Sequence, residues 1–241
     1  MNVWGITHPG VVRTENQDAY ATELLGKRKA LGVVCDGMGG ARAGNVASSL
    51  AVDEFLSQFR AVWKQRGLSN DKRLLQAATQ ANSAVLQRSI ADSACYGMGT
   101  TMVAVLVDGK HATILNEGDS RAYRVNEDGI TCVTRDHSLV QDLVERGELT
   151  QDEARNHPNK NLITRALGAE TELNADLFQL EVKDGEYFLL CTDGLSNQLS
   201  DQEILYEIIH GGEDEDCCNR LLEIAIRRGA PDNVTAVLIK C

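Results

Sequence analysis

The stretch that decides the fold is Thr100-Thr-Met-Val-Ala-Val-Leu-Val107, Asp108-Gly109-Lys110, His111-Ala-Thr-Ile-Leu115. Two β-rich runs flank an Asp-Gly turn, which is a strong hairpin signal. A second hairpin follows at once, with residues 122–125 and 130–134 on either side of Asp128-Gly129. Consecutive hairpins build antiparallel strands and argue against a doubly wound parallel sheet. Working outward, residues 3–7, 31–35, 187–191 and 234–239 read as further strands. From Gly44 onward the period changes. Val46, Leu50, Ala51, Phe55, Phe59 and Val62 recur at three- and four-residue steps. After the break at Gly67-Leu68-Ser69-Asn70, so do Leu74, Ala78, Ala81 and Val85. These spacings predict two amphipathic helices over one face of a sheet. Two capping boxes, Thr150-Gln-Asp-Glu153 and Ser200-Asp-Gln-Glu203, open later helices. Ile204, Leu205, Ile208 and Ile209 line one of these, and Cys217, Leu221, Leu222 and Ala225 carry a last one. Residues 138–146 and 150–156 read as two short helices. They lie in a polar stretch that runs to Asn161, expected to sit outside the core as a flap. The expected class is α+β, with antiparallel sheets packed together and helices on the outside.

The chain has 241 residues, 43% of them hydrophobic, and no Pro/Gly/Ser linker divides it. One domain spanning 1–241 is therefore expected, with the flap at about 138–161. The net charge is −11, without any basic cluster. That disfavours nucleic acid as a partner, which needs lysine and arginine to displace counterions. Residues 1–10 lack the basic and apolar regions of a signal peptide, and no 18-residue apolar run exists, so no membrane association is expected. Seven cysteines occur without a Cys-x-x-Cys pair. They read as reduced thiols of a cytoplasmic protein, and zinc-site spacing is absent.

Aspartates carry the chemistry. Of five Asp-Gly pairs, those at 108, 128 and 184 read as turns beside strands. Asp36-Gly37 and Asp193-Gly194 differ, because each ends an apolar run and leads toward a helix instead of a returning strand. Glycine there is expected to leave backbone carbonyls open to an ion. Asp232 opens the apolar run 234–239. An acid at the mouth of a sheet is costly to desolvate unless something positive compensates it. A cluster of such acids suits a hard divalent cation. Taken singly, Asp232 reads equally well as a turn residue, Asp119 as a β-bulge residue and Asp18 as part of a polar loop.

Taken in order, eight segments resemble the PPM family, the type 2C metal-dependent serine/threonine phosphatases. They are Arg13-Thr-Glu-Asn-Gln-Asp18, Asp36-Gly-Met-Gly-Gly40, Gly99-Thr-Thr101, Gly118-Asp-Ser-Arg121, Asp136-His-Ser138, Leu167-Gly168, Thr192-Asp-Gly194 and Asp232-Asn233. Met38 and the short length resemble the bacterial single-domain branch. The resemblance implies a four-layer α-β-β-α sandwich with metals at one end. It implies hydrolysis of phosphoserine and phosphothreonine by a metal-activated water, with two Mn²⁺ or Mg²⁺ ions and a third, weaker one. Asp36 would bridge two ions and Gly37 would offer its carbonyl. Asp193 and Asp232 would complete the second ion's ligands, and Asp18 would hold metal-bound water. Asp119 with Asp193 would serve the third ion, and Arg13 would grip the substrate phosphate. Gln17 stands where many members have Glu. Met38 stands where some have a His proposed as general acid, which leaves metal-bound water or a flap residue such as His157 for that role. Phosphorylated proteins are the implied partners, opposed by a cognate Ser/Thr kinase, and a monomer is expected.

Two other chemistries fit less well. A cysteine phosphatase needs an arginine six residues after its thiolate. Cys35, Cys95 and Cys191 have Ala41, Thr101 and Asn197 there. A non-catalytic phosphoprotein-binding module would have lost an aspartate or Arg13, and this chain keeps them all. A metallophosphoesterase of small phosphoesters remains compatible with the same acids, because a metal centre does not itself choose the substrate.

Overall fold

The computed structural model describes residues 1–38 and 43–241. Gly39 and Gly40 of the Asp36 segment thus lie outside the described residues. The strands are β1 (Asn2–His8), β2 (Asp18–Gly26), β3 (Lys29–Met38), β4 (Gly99–Thr100), β5 (Met102–Asp108), β6 (His111–Glu117), β7 (Arg121–Asn126), β8 (Gly129–Cys132), β9 (Asp176–Glu181), β10 (Tyr187–Cys191) and β11 (Val234–Lys240). The helices are α1 (Gly44–Trp63), α2 (Asn70–Ala91), α3 (Leu139–Glu145), α4 (Gln151–Arg155), α5 (Asp193–Ser196), α6 (Asp201–His210) and α7 (Cys217–Arg227). One sheet has the order β1-β11-β10-β7-β8. The other runs β2-β3-β5-β6-β9, with β4 paired to β3. Every strand pairing is antiparallel.

Period-two alternation sorts the side chains into layers. On β3 and β5, Leu31, Val33, Cys35, Ala104 and Leu106 pack against Ala47, Ala51, Phe55, Phe59 and Leu74 of α1 and α2. The intervening Ala30, Val34, Val103, Val105 and Val107 face the other sheet, meeting Phe188, Leu190, Val237 and Ile239. Leu189, Cys191, Ala236 and Leu238 point outward onto Ile204, Ile208, Leu221 and Ala225 of α6 and α7. The strands read as unbroken apolar runs because both faces are covered. The result is the four-layer α-β-β-α arrangement. Both capping boxes form as read, at α4 and α6.

Three sequence readings need correction. Asp18 is not in a loop, since it is the first residue of β2. Asp119 is not a bulge within a strand. It lies in the connection from β6 to β7, which carries the chain from one sheet to the other. β9 was not anticipated. Its residues Asp-Leu-Phe-Gln-Leu-Glu alternate strictly between half-buried and exposed positions. The flap is rooted by an isolated antiparallel bridge between Ser138 and Ile163, so its far root falls just past Asn161.

Phe188 is fully buried between the sheets. We expect Phe188→Ala to lower stability by about 3–5 kcal/mol, read as a shift of the urea midpoint at unchanged slope.

Candidate active site

The same alternation builds one end of the sandwich. On β3, Asp36 shares parity with Val34 and faces the space between the sheets. Asp18 lies opposite it in the β2–β3 register. Directly opposed residues on adjacent strands hold their Cβ atoms about 4.5–5.5 Å apart, and like charges there repel. Across the gap, Thr192 follows β10 and Thr235 lies in β11, with the parity of Leu190 and Val237. Both hydroxyls donate to Asp18 Oδ2, at 2.9 and 2.6 Å. The Thr7 hydroxyl lies 2.7 Å from that of Thr235 and accepts from Asn16 Nδ2 at 2.8 Å. Asp18 Oδ1 is buried and has no hydrogen-bond partner among the described residues. Thr235 was missed at the sequence level, because in a strand a threonine reads only as β-propensity, and Thr192 was quoted in a family segment without a role of its own.

Asp36 is held by its backbone. Its N–H donates to Thr101 Oγ1 at 2.9 Å, and its carbonyl accepts from Thr100 Oγ1 at 2.8 Å and from the Thr101 N–H at 2.9 Å. The Gly99-Thr-Thr101 segment is thus the brace of this strand end. Gly37 and Gly194 owe their identity to close backbone approach. A Cβ on Gly37 would fall 2.0 Å from the Gly44 carbonyl oxygen, and one on Gly194 would fall 1.9 Å from that of Asn233. This is a steric reason for glycine that the sequence reading did not give.

Asp193 begins α5 and accepts from Asn197 Nδ2 at 3.0 Å. Asp232 precedes β11 and accepts from Arg13 Nη2 at 2.9 Å. Asn233 sets the loop that carries Arg13. Its Nδ2 donates to the carbonyls of Pro9 and Glu15, at 3.0 and 2.9 Å, and its Oδ1 accepts from the Gln17 N–H at 2.8 Å.

A cavity of about 530 Å³ is walled by Arg13, Asp36, Gly37, Met38, Asp119, Asp193 and Asp232, among others. Six of the seven candidate residues therefore share one cavity. Asp18 lies behind Asp36 and is not on the wall. No three His, Cys, Asp or Glu side chains among the described residues close into a finished metal cage. The acids ring the cavity instead. His157 lines neither this cavity nor the neighbouring one toward the flap, and its Nδ1 accepts from the Asn159 N–H. Cys35 and Cys191 are buried and their thiols are pushed up by burial, which removes them as nucleophiles.

The arrangement matches known proteins along nearly the whole chain. Residues 11–213 match the model of the protein phosphatase 2C family. The chain belongs to that family. It is 38% identical over 236 residues to the serine/threonine protein phosphatase PstP of Mycobacterium tuberculosis, covering 95% of this chain but 43% of that protein. It is 32% identical to the serine/threonine phosphatase stp of Listeria innocua, covering 97% of this chain and 93% of that one. The solved catalytic domain of PstP, in complex with two manganese ions, superposes with a TM-score of 0.86 at 35% identity, covering 98% and 96% of the two chains. The chain thus spans less than half of the mycobacterial protein and nearly all of the listerial one.

In this member of the phosphatase 2C family the acids oppose one another electrostatically. Burial, then its neighbours Asp193 and Asp232, push Asp18 up to about 7 against the two threonine hydrogen bonds. Burial, then Asp18 and Asp193, raise Asp36 well above the usual carboxylate range. Asp193 is pushed up to about 6 by burial and by Asp232. Asp119 is pushed up to about 8 by burial, Asp193 and Asp136. An acid raised on folding binds more protons in the native than in the unfolded state, so stability falls as pH rises from the ordinary value to the raised one. For Asp18 that window runs from about 4 to about 7. We expect Asp18→Asn, in chelator, to melt higher than the parent at about pH 8 and to match it at about pH 4. Equal melting temperatures at both pH values would contradict the electrostatic account.

Proposed function

We propose that this chain is a metal-dependent protein phosphatase that hydrolyses phosphoserine and phosphothreonine monoesters. The observation that carries the reading is the Asp18–Asp36 pair, a buried and a half-buried carboxylate opposed across adjacent strands, with one Asp18 oxygen lacking any donor among the described residues. Asp193, Asp232 and Asp119 converge on the same end of the sandwich. An all-oxygen donor set with this excess of negative charge fits Mn²⁺ or Mg²⁺ better than zinc.

The roles follow from position. Asp36, at the centre of the wall, would be shared by two ions, with the Gly37 carbonyl beside it. Asp193 and Asp232 would complete the second ion's protein ligands, and Asp119 with Asp193 would hold a third ion more weakly. When bound, the ions supply charge neutralisation and a nucleophilic water at neutral pH. Asp18, held by Thr192 and Thr235 through Oδ2, would be left with Oδ1 to accept a hydrogen bond from water held by the ions. Arg13 presents a planar fork suited to two phosphate oxygens. It turns from Asp232 to the substrate, while Asn233 keeps its loop in place. The chain would work as one catalytic domain, 1–241, with the flap at 138–161 beside the cavity. A cognate Ser/Thr kinase, a monomeric state and a cytoplasmic location complete the proposal. Among the described residues no helix is long and apolar enough to cross a membrane.

Asp36→Asn and Asp193→Asn should each lower p-nitrophenyl phosphate turnover by at least about a hundredfold. Chelator should abolish activity and added Mn²⁺ should restore it. Full activity in EDTA would end the reading. Arg13→Lys should behave like Arg13→Ala, each costing about tenfold or more in kcat/KM, because an ammonium cannot reproduce the fork. A phosphothreonine peptide should be cleaved far faster than its phosphotyrosine counterpart.

A further inference from the structure

A second cavity of about 560 Å³ lies against the first, and the two share Asp119, Asn161 and Asp193. Its far side comes from the flap, including Gln141 and Glu145 of α3 and Arg155 and Lys160 on and after α4. Four cations line it, and they fall into two classes. Arg121 forks onto Asp136 through Nε and Nη2, at 2.9 and 2.7 Å. Arg135 is engaged by Asp142 and Glu145. These two are neutralised within the protein. Arg155 and Lys160 have no ion pair or hydrogen bond from their side chains among the described residues, and both are exposed. In a chain of net charge −11, two unpaired cations facing one cavity stand out. Of the acids lining the cavity, Asp201 at the start of α6 has no ion-pair partner among the described residues, and Asp119 and Asp193 belong to the proposed metal site.

We infer that the flap cavity is an anion subsite, in which Arg155 and Lys160 receive an acidic or second phosphorylated residue adjacent in sequence to the phosphoresidue being cleaved. The inference rests on the phosphatase reading above and adds to it a preference among substrates. The geometry supports it through the common wall. A peptide whose phosphate sits between Arg13 and the aspartates has its neighbouring residues next to Asn161, the threshold of the second cavity. A carboxylate and a phosphate present the same chemistry here. Because both cations are solvent-exposed, each contact is worth little alone and is weakened by salt.

The test compares phosphothreonine peptides with alanine flanks against peptides carrying one glutamate, one lysine or one second phosphothreonine at each of the three positions on either side. The parent chain and the Arg155→Glu/Lys160→Glu variant are assayed with Mn²⁺, with p-nitrophenyl phosphate as the flank-free control. We expect glutamate or phosphothreonine at one or two positions to raise kcat/KM about fivefold over alanine, chiefly through KM, and lysine there to lower it. The variant should lose or invert this preference, and the preference should shrink in high salt. Its p-nitrophenyl phosphate turnover should stay within about twofold of the parent. Arg155→Gln/Lys160→Gln, which removes charge without adding acids to the flap, should abolish the preference without inverting it. A stronger response to phosphothreonine than to glutamate assigns the subsite to multiply phosphorylated segments, and equal responses assign it to acidic ones. Turnover of p-nitrophenyl phosphate without any discrimination between glutamate and lysine overturns the subsite and leaves the phosphatase reading intact. So does a preference that survives both variants. Absence of turnover on every substrate overturns the phosphatase reading and the subsite with it.

Discussion

The site depends on one repulsion. Asp18 and Asp36 face each other across two paired strands, in a place where a sheet would ordinarily seat apolar or opposite-charge neighbours. Among the described residues the fold relieves this with no lysine or arginine. It supplies neutral donors instead, the hydroxyls of Thr192 and Thr235 on one Asp18 oxygen. Backbone braces from Thr100 and Thr101 hold Asp36. Neutral braces fix the geometry and leave the charge uncompensated, so the demand for a cation stays in place. Were either acid paired with a fixed guanidinium, that demand would be gone.

Much of this was legible in the sequence, and the misses have a common cause. Asp36 and Asp193 could be read because each ends a run buried on both faces, where an acid is conspicuous. β2 and β9 escaped because they are the two edges of one sheet. Edge strands carry polar and charged residues that blur the pattern. Missing β2 is what left Asp18 in a supposed loop. Asp119 was read as a bulge because one-dimensional pattern cannot show that the chain changes sheets there. The steric demand for glycine at 37 and 194 could not be read either, since close approach of the Gly44 and Asn233 carbonyls depends on distant parts of the chain.

The quoted family segments also prove to interlock with one another. Arg121 of one grips Asp136 of another. The His137 side chain accepts from the Gly118 N–H at 3.0 Å, while the His137 N–H donates to the Gly118 carbonyl at 2.9 Å. Asn233 fastens the loop from Pro9 to Gln17. Several of the motif residues therefore brace the others, and a motif match alone does not separate the two kinds.

The pairing of β1 with β11 has a consequence for synthesis. Residues 2–8 lie beside residues 234–240, and Asn233 closes the loop that carries Arg13. During translation the early strand must wait, its neighbour not yet made, until residues 234–240 have left the ribosome. Contacts of such long sequence separation form late and slowly. A nascent chain short of residue 232 would have Asp18 and Asp36 but no Asp232, Asn233 or Thr235, so neither the second threonine brace nor the clasp on the Arg13 loop could form before then.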